Sequence, residues 1–276
     1  MSRGRWLALA LVPACSIAVL SGGCGGSKHQ PARTTAKRTR PRAVLPVHVR
    51  PYHRPVPILM YHEVRKPPPG APNPRLFVSA RTFRAQVRWL ERRGFHGITL
   101  VQLQEAWRGR RKLPRRPVVL TFDDGYLSVY QNVVPVLRRM RWPGVLNLAL
   151  GNTKSAEGVT RPEVKRMMRG GWELASHTIS HLDLTTLGST QLRQELVGSR
   201  RLIRRWFHVT VSDFCYPAGR YNRRVMRAVR RAGYRTATTV SPGLATPRHP
   251  FELPRVRVEE SDRVAGLAGT LAALRR

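Results

Sequence analysis

Two adjacent carboxylates, Asp123 and Asp124, stand in "VVLTFDDGY" (Val118 to Tyr126), straight after an apolar run that reads as a buried strand. Burying two like charges is costly unless a cation or a proton uses them. Further along, "ELASHTISH" places His177 and His181 after another apolar run. One carboxylate and two imidazoles are three ligands for a metal ion that keeps an open position. The second carboxylate is then free to act as a base. The histidines are spaced as two ligands on one helical turn. The plainer reading of the pair is an Asx turn ahead of a helix at Ser128.

These groups need a frame that gathers strand ends. From Pro57 onward the chain alternates strand-like and helix-like segments. "PILMY" reads as a strand, Ala80 to Arg93 as a helix capped by Ser79 and stopped at Gly94, and Leu103 to Trp107 as a short helix after a strand near Ile98. Strand Val118 to Phe122 then precedes a helix over Ser128 to Met140. Strands at Val145, Trp172, Val211, Thr236 and Pro254 alternate with helices at Pro162, Thr190, Asn222 and Asp262. Such alternation argues a parallel sheet covered by helices. Tyr61-His62, Asp123-Asp124, Ser176-His177 and Tyr216-Pro217 all fall where strands end. Chemistry at the C-terminal ends of several strands is the habit of a closed β/α barrel, whereas an open doubly wound sheet uses one switch point. There is no internal repeat and no Gly-rich phosphate loop.

The chain has 276 residues with Lys+Arg 50 against Asp+Glu 15, a formal net charge of +35. That excess favours anionic partners such as an acidic cell-envelope surface. The arginines are dispersed along the chain and not gathered into a tail, so nucleic acid is not the expected partner. The N-terminus reads as a targeting segment: Arg3 and Arg5, an apolar core from Trp6 to Leu20, then Ser21, Gly22 and Gly23 ahead of Cys24. The core is too short for a membrane span with ordinary flanks, so no transmembrane domain is expected in the mature chain. Export is expected, with an extracellular location or a lipid anchor on Cys24. "VLSGGCGGS" is similar to a bacterial lipoprotein signal, with one extra Gly between Leu20 and Cys24. An ordinary secretory peptide with an incidental cysteine reads equally well. Residues 1–24 are thus the signal, 25–54 a basic Pro/Gly/Thr-rich tether, and 55–276 the working domain. Cys215 is the one cysteine in that domain, so no bridge can form within it.

"TFDDGY", "SHTISH" and "FCYPAGRYN" together resemble the polysaccharide deacetylases, the NodB-homology family of carbohydrate esterases (family 4). The resemblance runs over roughly Pro57 to Val258. It implies a distorted (β/α)7-type barrel and removal of N-acetyl groups from an N-acetylglucosamine-containing glycan. It implies Asp124, His177 and His181 as ligands of one divalent ion, zinc by default, and Asp123 as the base. It implies the Ala218 N–H facing the oxyanion, with Tyr216 and Pro217 lining the sugar groove. Cys215 stands where the family's third motif usually has an Arg that orients the base, and the usual C-terminal Leu-x-His is missing. The exported poly-N-acetylglucosamine deacetylases share both departures and take their acid His from an N-terminal "YH". "ILMYHEV" therefore makes His62 the expected acid, with His249 the competitor, and Arg255 in "LPRVRV" the candidate to orient Asp123. The rival from another class is a non-catalytic cationic envelope-binding protein on the same scaffold.

Overall fold

The structure, a computed structural model, describes residues 49–274. The expected signal with Cys24, and the tether up to residue 48, lie outside the described residues. The last part of the expected tether is corrected. Val49 and Tyr52 donate backbone hydrogen bonds to Gly109 and Ala106, and the Tyr52 ring packs on the lower core.

The strands are β1 (Ile58–Tyr61), β2 (His96–Ile98), β3 (Pro117–Asp124), β4 (Val145–Leu148), β5 (Glu173–Ser176), β6 (Asp213–Cys215), β7 (Thr236–Pro242) and β8 (Leu253–Arg257). All pair in parallel. β3 and β8 both pair with β1, which closes a seven-strand barrel in the order β1, β3, β4, β5, β6, β7, β8. β2 lies outside that ring, on the first half of the β3 edge that β4 takes over further along. The expected (β/α)7 barrel is the observed one.

Helices cover the barrel: α1 (Ala80–Arg92), α2 (Leu100–Trp107), α3 (Leu127–Asn132), α4 (Val134–Met140), α5 (Arg161–Arg169), α6 (Ser189–Arg193), α7 (Ser199–Phe207), α8 (Arg223–Arg231) and α9 (Arg263–Ala273). Their starts are legible as caps. Ser79 accepts from the Thr82 N–H, Thr99 and Thr160 form capping boxes with Gln102 and Glu163, and Asn222 accepts from the Val225 N–H. The Thr99 box starts α2 at Leu100, earlier than expected. The single helix expected over Ser128 to Met140 is two, broken at Val133 ahead of Pro135.

Strand alternation divides the core. Val118, Leu120 and Phe122 face the helices, while Val119 joins Ile58, Val145, Ala175 and Leu253 in a smaller apolar cluster. That cluster floors the barrel. Above it the same strand faces carry Thr121, Asp123, Asn147 and Arg255, all buried. The polar layer is therefore the upper half of the barrel interior, at the strand C-termini. Trp142 and Trp172, each 6% exposed, are core side chains as expected.

Candidate active site

Extending the β1–β3 register by one residue sets His62 beside Asp123, and the β3–β4 register sets Asn147 on its other side. Asp123 faces the barrel interior by parity. Asp124 should then face the helices. Its φ of 70° breaks the alternation and returns the second carboxylate to the same mouth. Asn152 Nδ2 donates to the Asp124 carbonyl at 3.0 Å and holds that turn. Gly125 follows with φ 84°, and a Cβ there would meet Leu148 Cδ1 at 2.6 Å. Gly125→Ala is expected to cost about 1–3 kcal/mol of stability through overpacking and backbone strain. A urea midpoint within error of wild type would show that the turn tolerates a side chain.

His177 and His181 do not share a helical turn. They sit in an irregular loop after β5, with Thr178 at φ 70° and His181 at φ 54°. The loop is held from beneath by buried Glu195, which accepts from the Ile179 and Ser180 N–H groups at 2.8 and 3.0 Å. Glu195 comes from a π-turn, Gln194–Gly198, between α6 and α7. Such turns concentrate at functional sites. The His181 N–H donates to Thr178 Oγ1 at 3.0 Å.

The two histidine Nε2 atoms lie 3.3 and 3.4 Å from Asp124 Oδ1. His177 Nδ1 is 2.8 Å from the Cys215 carbonyl, which can only accept. A neutral His177 ring therefore has its proton on Nδ1 and aims the Nε2 lone pair at Asp124. Asp124 Oδ1 is buried and has no hydrogen-bond partner. A carboxylate oxygen that close to two imidazole nitrogens is matched either by a cation held among them or by a proton on the His177 ring. Asp124, His177 and His181 thus form a cluster able to hold a metal ion, their donor atoms within 4.8 Å of one another. Without an ion, the electrostatics favour supplying the positive charge as a proton on the His177 ring. Burial alone would lower the His177 pKa, but Cys215 and Asp124 overrule it and raise it well above the ordinary value. Asp123, His177 and Cys215 also converge, but both Asp123 oxygens are already engaged.

Arg255 engages them. Its two terminal nitrogens donate to Asp123 Oδ1 and Oδ2, each at 2.8 Å, and its Nε donates to the Thr239 carbonyl at 2.7 Å. Arg255 thus fills from β8 the orienting role left open by Cys215 in the third motif. Cys215 itself is a buried free thiol, 3.6 Å from Asp123 Oδ2. Asn147 Nδ2 donates to Asp123 Oδ1 at 2.7 Å. Burial would raise the Asp123 pKa; the Arg255 guanidinium and then the His62 ring reverse that and hold it far below the carboxylate range. Asp123 is therefore ionised throughout the neutral range, with both oxygens held by Arg255 and Asn147.

His62 Nε2 is 3.7 Å from Asp123 Oδ2. Burial lowers its pKa, Asp123 and Asp124 oppose that, and Arg255 and Arg257 add to the lowering. A cavity of about 640 Å³ opens over His62, Asp123, Asp124, His177 and His181. Ala218, at φ 49°, lines it as well. The turn's own bonds run from the Gly219 N–H to Tyr216 O and from the Arg220 N–H to Pro217 O, leaving the Ala218 N–H outside them. Tyr216 backs the wall: its ring is buried, stacked on Tyr221, and its hydroxyl donates to the Phe251 carbonyl. Pro217 is buried beneath the turn, outside the cavity lining. His249 is exposed and does not line the cavity.

The opposite wall went unread in the sequence. It is the segment Pro72 to Leu76, pinned where Arg75 pairs with Glu259 at 2.8 Å. Asn147 was also missed. Its only signal was one amide inside the apolar strand "VLNLAL".

A parallel barrel with a cluster able to hold a metal ion and a clamped carboxylate at its C-terminal mouth is an arrangement suited to activating water. A family model for polysaccharide deacetylase matches residues 110–237. YxkH of Bacillus subtilis (strain 168), described as a polysaccharide deacetylase, is 31% identical over 204 residues, covering 74% of this chain and 71% of that one. A poly-β-1,6-N-acetyl-D-glucosamine N-deacetylase of Staphylococcus aureus (strain MRSA252) is 23% identical over 198 residues, covering 66% and 68%. The solved structure of Streptococcus pyogenes deacetylase PplD in complex with acetate superposes with a TM-score of 0.74 at 25% identity, covering 79% of this chain and 99% of that chain. The chain belongs to the polysaccharide deacetylase family, hydrolases of N-acetyl amide bonds.

Proposed function

We propose that this protein is an exported, metal-dependent N-deacetylase acting on an N-acetylglucosamine-containing polysaccharide: poly-N-acetylglucosamine, peptidoglycan or a chitin-like polymer. The observation that carries it is the orphaned Asp124 Oδ1 between two histidine Nε2 atoms, 3.3 and 3.4 Å away, beside a clamped Asp123. Asp124, His177 and His181 would hold the ion, with zinc the first candidate for such donors. A divalent ion held there would supply acidification of a water and polarisation of the acetamide carbonyl.

The chain's own groups do the rest. Asp123, ionised and clamped by Arg255, accepts the proton of the attacking water. The Ala218 N–H stabilises charge on the carbonyl oxygen as the tetrahedral carbon forms. The departing amine needs a proton when the C–N bond breaks, and the 3.7 Å approach of His62 Nε2 to Asp123 Oδ2 at the cavity mouth supports His62 as its donor. His62→Ala should keep metal content near wild type and lower kcat by roughly 10²–10⁴-fold, the range for a removed general acid. His249→Ala should be close to silent. If His249 proves the damaging position, the acid comes from elsewhere. Acetate release across poly-N-acetylglucosamine, peptidoglycan and chitin oligomers tests the function itself; none from any of them, with metal bound, rejects it.

Export is supported by Arg3, Arg5 and the apolar run to Leu20, with Cys24 the candidate lipid acceptor. Among the described residues no helix is long and apolar enough to cross a membrane. Fatty-acid labelling that persists in Cys24→Ser would remove the anchor from this account.

A further inference from the structure

We propose that Arg257 makes this site selective for an anionic glycan, by binding a carboxylate carried on the acetylated sugar or on its immediate neighbour. The inference rests on the deacetylase reading above and narrows its substrate class.

β8 and its extension carry three charged residues on one face. Arg255, Arg257 and Glu259 are two apart and all line the cavity, while Val256 and Val258 between them are buried in the outer core. They climb from the barrel interior to its mouth. Arg255, at the bottom, is consumed by Asp123 and the Thr239 carbonyl. Glu259, at the top, is consumed by Arg75, which pins the facing wall. Arg257, between them, is exposed, and among the described residues its guanidinium has neither an ion pair nor a side-chain hydrogen bond. Its register partner is Met60, two residues before His62, so its charge stands beside the expected proton donor.

The other charged side chains of the cavity wall each have an assigned partner or role. Asp123 is matched by Arg255 and Glu259 by Arg75, and Asp124 belongs to the ion-binding set. Arg257 is the cation left over, facing a space of about 640 Å³, large enough for a sugar with its substituent. A guanidinium is a fork of donors matched to a carboxylate and takes it in bidentate fashion. A neutral polymer leaves it unused. A sugar with a lactyl ether or a uronic acid beside the acetamido group fills it. The net charge of +35 draws such polymers to the surface over longer range.

The test compares one glycan in two forms: an oligomer of alternating N-acetylglucosamine and N-acetylmuramic acid, and its methyl ester, in which the carboxylate is neutralised. Wild type should prefer the free acid. Arg257→Gln should lower the ratio of kcat/KM between acid and ester by about 10–100-fold, the range for one charged hydrogen-bonded contact, through KM and not kcat. Arg257→Glu should invert the ratio. Arg257 is exposed, so both variants should match wild type in urea midpoint. A wild-type enzyme that releases acetate but does not distinguish acid from ester overturns the proposal and leaves the deacetylase reading standing. So does an Arg257→Gln that slows both forms equally. Equilibrium binding of the two glycans separates the other case. An acid preference that depends on Arg257, with no acetate released from any glycan, keeps this assignment and sinks the reaction.

Discussion

Asp124→Ala is expected to lose bound divalent metal and acetate release together, and His177→Ala to do the same. The reason is where these groups stand. Asp124 and His177 are 8% and 2% exposed, and the Asp124 oxygen between the two imidazoles has no protein partner. A water taking the place of a missing ligand supplies neither the carboxylate's charge nor its fixed position. Polarisation by a bound ion contributes several kcal/mol to a hydrolysis, so the rate should fall by about 10³-fold or more. Thermal stability gives a readout independent of turnover. Chelated wild type should gain about 2.7 kcal/mol when a divalent ion is restored at a hundred times its dissociation constant, and Asp124→Ala should gain nothing. Stoichiometric metal in Asp124→Ala would mean that the ion sits elsewhere and would undo the site.

Arg255→Met carries the second large effect, and it strikes fold and activity together. Arg255 is 1% exposed and Asp123 2%, joined by two hydrogen bonds of 2.8 Å. Removing the guanidinium leaves a buried carboxylate with Asn147 as its principal donor. Breaking such a pair costs about 3–5 kcal/mol. Its orientation toward the attacking water is lost with it. Asp123→Asn combined with Arg255→Met should recover much of the stability, because no charge is then stranded, and recover none of the activity. The pH dependence follows from the direction of the shift. The folded-state Asp123 carboxyl is held below its ordinary value of 3.8, so the pair's contribution is complete above that value. It is lost as pH falls further, toward the depressed folded pKa. Acid unfolding of wild type should therefore steepen below pH ~4 relative to Arg255→Met. Parallel acid-unfolding curves would show that the pair contributes little.

The carboxylate and histidine residues of the candidate site were legible because each is tied to a strand end by a few adjacent letters. "TFDDGY" and "SHTISH" follow apolar runs, and an apolar run in a parallel barrel is buried on both faces. Capping followed the same local logic: Ser79, Thr99, Thr160 and Asn222 are each settled by a bond to a residue three positions on. Reading His177 and His181 as one helical turn failed for a local reason. The spacing is right, but the turn is made by left-handed residues at Thr178 and His181, held by a glutamate from the following helical segment.

What the amino-acid order determined unaided was the alternation of strands and helices, the polar groups at strand ends, and the chemistry those side-chain types support. Tertiary structure alone decided which distant groups meet. Arg255 was a candidate in the sequence on its residue type, but that it reaches Asp123 across 132 positions depends on β8 closing the barrel onto β1, with β1 against β3. Asn147 counts because the β3–β4 register sets it beside Asp123, and a one-residue slip would turn it toward the helices. The wall at Pro72 to Leu76 is held by backbone bonds between Glu63 and the residues Leu76 and Val78, and Arg75 pairs with Glu259 across 184 positions. Such contacts depend on strand register and barrel closure, which follow from packing summed over the whole core and leave no mark on the residues nearby.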